Sequence, residues 1–292
     1  MVPPILPSPD FYKYFNDFYI DTEYSGLPVN TQYKLYPQPS RAGTGLKGSA
    51  LIYFPDGYDQ GTERYPVLYW LHGGLANQRQ GFWGVGLYHK AMTEGTMPKT
   101  IIVLVQALPV GWYADSKDGS RPIATIMTRD LVDYMDSTYR TIARREARWI
   151  EGFSMGGYGA LHLAFGHPET YGAVSMIAGA LLRRLEQEPI ERTHDTFFDD
   201  QEYFTACHPI TLLEKNGDAL RNRTLVRLLS AELDTRQTEP IAAMQRNMER
   251  LKVPHKSIEI KGADRSYDSI LAGTGSYAYE FWAEAAARMK IS

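Results

Sequence analysis

Three short stretches of the sequence combine residue types that could cooperate in acyl chemistry. Gly152-Phe153-Ser154-Met155-Gly156-Gly157 follows the apolar run Arg148 to Phe153 and opens a stretch of helical period with Tyr158, Leu161 and Ala164. Strand, turn and helix in that order form the setting of a nucleophile elbow, where glycines leave room for a strained turn that pushes a serine hydroxyl out above a sheet. Leu71-His72-Gly73-Gly74-Leu75 follows a second apolar run. It has the form of a loop whose backbone N–H groups, with that of the residue after the nucleophile, stabilise an oxyanion. The donors are expected at Met155 and at Gly74 or Leu75. Ser230-Ala231-Glu232-Leu233-Asp234 ends a third buried run, Leu225 to Leu229. In the chain order serine, acid, histidine, the acid comes from a loop after a later strand. Asp234 stands there, with Glu232 its nearest competitor.

These stretches need strands and helices to hold them. Apolar runs rich in Val, Ile and Leu read as buried strands at Gly48 to Tyr53, Pro66 to Leu71, Ile101 to Gln106, Arg148 to Phe153, Ala173 to Ala178, Leu225 to Ala231 and Ser257 to Lys261. Helical period appears over Ile126 to Tyr139, Met155 to Gly166, Pro240 to Leu251 and Tyr277 to Met289. The alternation predicts an α/β fold, a doubly wound, mostly parallel sheet with helices on both faces. Residues 1–45 read as an irregular arm that packs its rings (Phe11, Tyr12, Tyr14, Phe15, Phe18, Tyr19) on a domain running from 46 to 292. An insertion over about 182–223 follows a strand and is expected to cover the site. Trp112, Tyr113 and Asp115 follow the strand Ile101 to Gln106, so His72, Trp112 and Tyr113 are expected around a substrate pocket, with core packing of the rings the alternative.

Composition narrows the classes. With 31 Lys and Arg against 34 Asp and Glu the net charge is −3, and no basic stripe marks a nucleic-acid partner. The single Cys207 offers neither an intramolecular disulfide nor a zinc cluster, so no metal and no cofactor is expected. Ile101 to Val110 is too short to cross a bilayer, and the Pro-rich start lacks the pattern of a secretory signal, so a cytoplasmic protein without membrane contact is expected. A homo-oligomer is left open.

The motifs together resemble the esterase D and feruloyl-esterase-like group of α/β-hydrolases, which includes the mycolyltransferases. The resemblance rests on Tyr65-Pro-Val-Leu-Tyr-Trp-Leu-His-Gly-Gly, on Gly152 to Ala160 with His167-Pro168, and on the acid loop, and it covers roughly Leu46 to Lys290. It implies the α/β-hydrolase fold and hydrolysis or transfer of an acyl group from a small-molecule ester through an acyl-enzyme on Ser154, with Asp234 orienting a histidine supplied shortly after the last strand.

That histidine is missing. Where the group shows Gly, one or two residues and then His, this chain reads Lys261-Gly262-Ala263-Asp264-Arg265-Ser266-Tyr267. Arg265 aligns with it, or Asp264 if the loop is one residue shorter. Arg stays protonated and Asp is a far weaker base than imidazole. His255 precedes the last strand and should lie roughly 15 to 20 Å from the strand's other end. His194, in the insertion, and His208 are the remaining candidates to reach over the site, and the triad is expected to be incomplete. Three readings follow: an esterase-like enzyme with an atypical or incomplete triad of Ser154, Asp234 and Arg265; a repurposed enzyme using Arg265 and the oxyanion loop for non-hydrolytic chemistry; and a catalytically silent binding protein.

Overall fold

Alternation along the strands sends successive side chains to opposite faces of one sheet. Ala50, Ile52, Val67, Tyr69, Val103, Val105 and Ile150 pack into the core on one face. Leu51, Tyr53, Leu68, Trp70, Ile102, Leu104 and Trp149 pack into the core on the other. Both faces are therefore covered, which is why these runs carry almost no polar residues.

The structure, a computed structural model, describes residues 18–289. Eight strands run β1 Thr31–Pro37, β2 Lys47–Tyr53, β3 Val67–Leu71, β4 Ile101–Val105, β5 Arg148–Phe153, β6 Ala173–Ile177, β7 Leu225–Ala231 and β8 Lys256–Ile260. Their order in the sheet is β1-β2-β4-β3-β5-β6-β7-β8. The β1–β2 and β2–β4 pairs are antiparallel and the rest are parallel. This is the α/β-hydrolase arrangement. The direction of winding reverses at β3, which pairs with β4 on one side and β5 on the other. The crevice beyond the carboxyl ends of such strands is where open α/β sheets bind ligands. His72-Gly73-Gly74 leaves β3 there, and Ser154 leaves β5.

Two expectations need correction. Thr31–Pro37, placed in the irregular arm, is an edge strand paired to β2 from Thr31↔Tyr53 to Pro37↔Lys47. Its run Thr-Gln-Tyr-Lys-Leu-Tyr-Pro is polar because an edge strand is only partly covered, and the apolar criterion passed over it. Of the expected arm rings, Phe11, Tyr12, Tyr14 and Phe15 lie outside the described residues, while Tyr19 is buried with the Arg41 guanidinium over its ring. The second correction concerns the helix expected from Ile126. Helical backbone begins at Ile123, passes through a π-helical turn over Ile126–Asp130 and continues as Leu131–Thr138. Asp130 is buried at that turn, and its carboxylate accepts from the Ser40 N–H at 2.9 Å.

The stretch from Leu181 to Arg223 contains no strand among its described residues and folds into short helices, the longest being Gln201–Cys207 and Pro209–Leu220. Its first part returns across the carboxyl end of the sheet. The Leu181 N–H donates to Gln237 Oε1 at 2.9 Å, and Arg236 donates to the Gln187 carbonyl, so the insertion is tied to the loop that carries Asp234.

Candidate active site

Ser154 adopts φ 57°, ψ −115°, a conformation that L side chains rarely hold and that costs of the order of 1–3 kcal/mol unless its surroundings fix it. They do so here. The Ser154 N–H donates to the Ile177 carbonyl at 2.9 Å, and the Ser154 carbonyl accepts from Tyr158 and Ala180 N–H at 3.0 Å each. The glycines permit the approach. A Cβ on Gly152 would stand 2.0 Å from the Gly156 carbonyl oxygen, and one on Gly156 would stand 2.1 Å from the Leu71 carbonyl oxygen. The start of the helix Met155–Gly166 is thereby pressed against the end of β3, bringing Gly74 close to Met155. Glycine at 152 and 156 is a requirement of space, not only of conformation.

Ser154 opens on a cleft of about 250 Å³ lined by Gly74, Val110, Trp112, Met155 and Ala180 on its apolar side and by Glu188, Arg192, Arg236 and Arg265 on its polar side. The N–H groups of Met155 and Gly74 have no partner among the described residues. Leu75, the alternative donor, is removed from that role: its N–H donates to the Pro109 carbonyl at 2.7 Å, because the chain turns through φ 60° there.

Arg265 bridges the serine and the acid. Its Nη2 donates to Ser154 Oγ at 3.1 Å and to the Ala178 carbonyl at 3.3 Å, while Nη1 stands 3.2 Å from Asp234 Oδ2. The Asp234 contact is off the hydrogen-bond axis, making it an ion pair rather than an aligned bond. The Asp234 side chain is only 8% exposed, while Arg265 keeps 26% exposure where it lines the cleft. Burial draws the Arg265 pKa down and Asp234 pushes it back up, yet a guanidinium titrates so high that it remains a cation. Glu232, the competing acid, points elsewhere and pairs with Lys261 and the Gly262 N–H on the surface.

Among the described residues no histidine lines the cleft. His72 is fully buried, its Nδ1 2.8 Å from the Gly73 carbonyl and its Nε2 accepting from the Ala107 N–H at 3.2 Å. Burial lowers its pKa, so it is a neutral fastener of the oxyanion loop and not a pocket residue as expected. Tyr113 is likewise removed from the pocket: it is fully buried against Gly159 and donates to the His72 carbonyl at 3.0 Å. Asp115 is occupied in accepting from Thr125. Trp112 does line the cleft, and its indole N–H donates to the Arg192 carbonyl at 2.6 Å. His208 caps the helix Pro209–Leu220, accepting from the Ile210 N–H, and burial pushes its pKa down to about 4. His194 pairs with Asp199 on an exposed turn, and His255 stands 3.1 Å from the Val253 carbonyl at the far end of β8.

Sequence reasoning missed Glu188, Arg192 and Arg236. The signal was indirect: the insertion was expected to cover the site, so its charged residues were the ones to inspect, and Arg236 lies two residues past Asp234. Among the described residues no cluster of His, Cys, Asp or Glu could hold a metal ion, and no helix is long and apolar enough to cross a membrane.

Comparison with known proteins places this geometry in context. The chain is similar to Esterase Rv1288 of Mycobacterium tuberculosis, 28% identical over 240 residues, which are 72% of this chain and 51% of that protein. It is also similar to the endo-1,4-beta-xylanase/feruloyl esterase of Xylanibacter ruminicola, 27% identical over 146 residues, 47% of this chain and 20% of that protein. The chain thus spans about half the length, or less, of these curated relatives. Among solved structures, a ferulic acid esterase superposes with a TM-score of 0.70 at 18% identity, covering 86% of this chain and 98% of that one. The S-formylglutathione hydrolase of Staphylococcus aureus superposes with a TM-score of 0.65 at 15% identity, covering 89% and 98%. At such identities these two likenesses speak for the fold. A family model described as "Putative esterase" matches residues 43–292, the sheet from β2 onward together with the elbow, the acid loop and the Arg265 loop, and the chain belongs to that esterase family.

Proposed function

We propose that this chain hydrolyses a carboxylic ester, or transfers its acyl group, through an acyl-enzyme on Ser154, with the Arg265–Asp234 pair standing where a histidine and its carboxylate would otherwise serve. The observation that carries the reading is Ser154 held in its strained turn at the mouth of a cleft, beside two backbone N–H groups, of Met155 and Gly74, without partners. Ser154 Oγ would attack the ester carbonyl, whose oxygen takes up negative charge as the tetrahedral centre forms. Met155 and Gly74 N–H would donate to that oxygen, the largest single contribution in sites of this kind. Arg265 cannot accept the serine proton. Its hydrogen bond instead favours the developing alkoxide at Oγ, and the proton leaves to water or hydroxide. The alcohol then departs, and water or a second alcohol attacks the acyl-enzyme.

Without an imidazole this path is slow. Loss of the triad histidine from a serine protease costs about a millionfold in kcat, while an oxyanion hole with binding still gives about a thousandfold or more over water. Turnover of p-nitrophenyl acetate is therefore expected above the uncatalysed rate for wild type and clearly lower for Ser154→Ala, which keeps only what the oxyanion donors and binding supply. Equal rates for the two would refute the reading. A second reading, a binding protein that uses the same cleft, is favoured by the one observation that no histidine lines it. That reading expects ligand-dependent melting with no turnover dependent on Ser154.

A further inference from the structure

The polar side of the cleft is cationic, and neither a neutral acyl chain nor a neutral alcohol requires that. Arg192, Arg236 and Arg265 converge on it, with Glu188 the single carboxylate among the residues lining it. Arg265 is matched by Asp234, and Arg236 stands 3.5 Å from Glu188, whose side chain is 5% exposed. Arg192 is left over. Its backbone is fixed by the bond from the Trp112 indole, but its guanidinium has no hydrogen-bond or ion-pair partner among the described residues. The positive charges of Arg236 and Arg192 also bear on Arg265, each disfavouring its cationic form. Three guanidinium groups facing one cleft with one unbalanced charge repel one another unless an anion completes the set. The guanidinium fork matches a carboxylate in two parallel hydrogen bonds.

We propose that the cleft selects an ester carrying a free carboxylate, a half-ester of a dicarboxylic acid, with Arg192 as the residue that recognises the carboxylate while the ester carbonyl lies at Ser154. This names the substrate class of the site proposed above and rests on that reading for the ester, though not for the anion. The Trp112 indole anchors the Arg192 carbonyl at 2.6 Å, so the side chain is presented from a fixed wall rather than from a loose lid.

The test pairs a rate with a binding measurement. The kcat/KM of p-nitrophenyl hemiglutarate is compared with that of p-nitrophenyl pentanoate, a neutral ester of similar length, in wild type, Arg192→Gln and Arg192→Lys. Separately, the melting temperature of each protein is followed against added glutarate, with a neutral diester as control. The expected result is a wild-type preference for the anionic ester that falls about 10- to 100-fold in Arg192→Gln, the loss of a charge-assisted contact, and is partly kept in Arg192→Lys. Glutarate should raise the melting temperature of wild type and not of Arg192→Gln. If no ester is turned over but glutarate stabilises wild type in this Arg192-dependent way, the anion site stands and the hydrolase reading falls. If esters are turned over through Ser154 with no preference for the anionic one, and glutarate stabilises nothing, the proposal is overturned while the hydrolase reading stands.

Discussion

Under the proposed function, Arg265 decides what kind of catalyst this would be. An imidazole near neutrality can take a proton at one step and return it at the next; a guanidinium can only donate and stabilise charge. The pH dependence should show the difference. Wild-type kcat/KM toward an activated ester is expected to climb with pH without a bend near 6.5, because hydroxide and not a side chain removes the serine proton; a bend there would indicate a histidine base. Arg265 was legible in the sequence only as a departure from a pattern. The bridge it forms from Ser154 to Asp234 was not, since a loop of seven residues gives no direction to a long side chain. The proposed oxyanion donors were only half legible. Glycine-rich character identified the loop, but the bond from Leu75 to Pro109 that removes one candidate joins segments 34 residues apart in sequence.

The elbow shows at the level of elements why short-range pattern reading worked best there. Strand, serine turn and helix are contiguous in sequence, and Gly152 reports a contact made within a few residues, with Gly156, while Gly156 reports the approach of the distant Leu71 carbonyl. Gly156→Ala would set a Cβ against the Leu71 carbonyl, a backbone atom that cannot step aside. We expect loss of both activity and several kcal/mol of stability, measured by chemical denaturation, of the order seen for backbone strain and overpacking. Behind the elbow, His162 and His208 are buried and pushed down to about 4 in pKa, His162 with its Nδ1 2.7 Å from the Cys207 carbonyl. Both are neutral in the fold, whereas the unfolded chain takes up protons at about 6.5. A depressed basic group contributes stability that is complete above the unfolded value and is lost as pH falls toward the folded one. The melting temperature should therefore decline as pH drops from about 6.5 to 4, with most of the slope in that window. A flat melting temperature there would mean that these histidines are protonated in the fold. The edge strand Thr31–Pro37 was illegible for the opposite reason to the elbow: its partner settles its conformation, and its own residues carry no apolar period.

Across the whole molecule, a buried ion pair joins the sheet to the helices on one face. Arg227 on β7 donates from Nε to Ser175 Oγ at 3.0 Å and stands with Nη2 3.0 Å from Glu151 Oε2 on β5, both side chains fully buried. Tyr88 donates to the other Glu151 oxygen at 2.9 Å, and the guanidinium lies over the Phe281 ring at 4.4 Å. The Arg227–Glu151 pair thus links three neighbouring strands to the helices Phe82–Thr93 and Tyr277–Met289, and one of those strands, β5, leads into Ser154. Arg227→Met would leave Glu151 buried without its cation, and a cost of about 3–5 kcal/mol is expected in denaturant unfolding. Glu151→Gln together with Arg227→Met should recover part of it. The order of elements and the parallel sheet were readable from the alternation of runs, since burial on both faces imposes apolar composition. The cationic wall of the cleft was not, because Arg192 and Arg236 come from segments more than 40 residues apart that meet only over the folded sheet.

The proposed function requires Ser154, Asp234 and the oxyanion donors to be in place, with the general base alone absent. Turnover of p-nitrophenyl acetate by wild type, Arg265→His and the double variant Ser154→Ala, Arg265→His tests this directly. A positioned base contributes about 10²- to 10⁴-fold. Arg265→His is expected to gain in that range and to acquire a bend in its pH profile near 6.5, with the gain abolished in the double variant. No gain in Arg265→His, with wild type already hydrolysing the ester through Ser154 on a profile bent near 6.5, would contradict it.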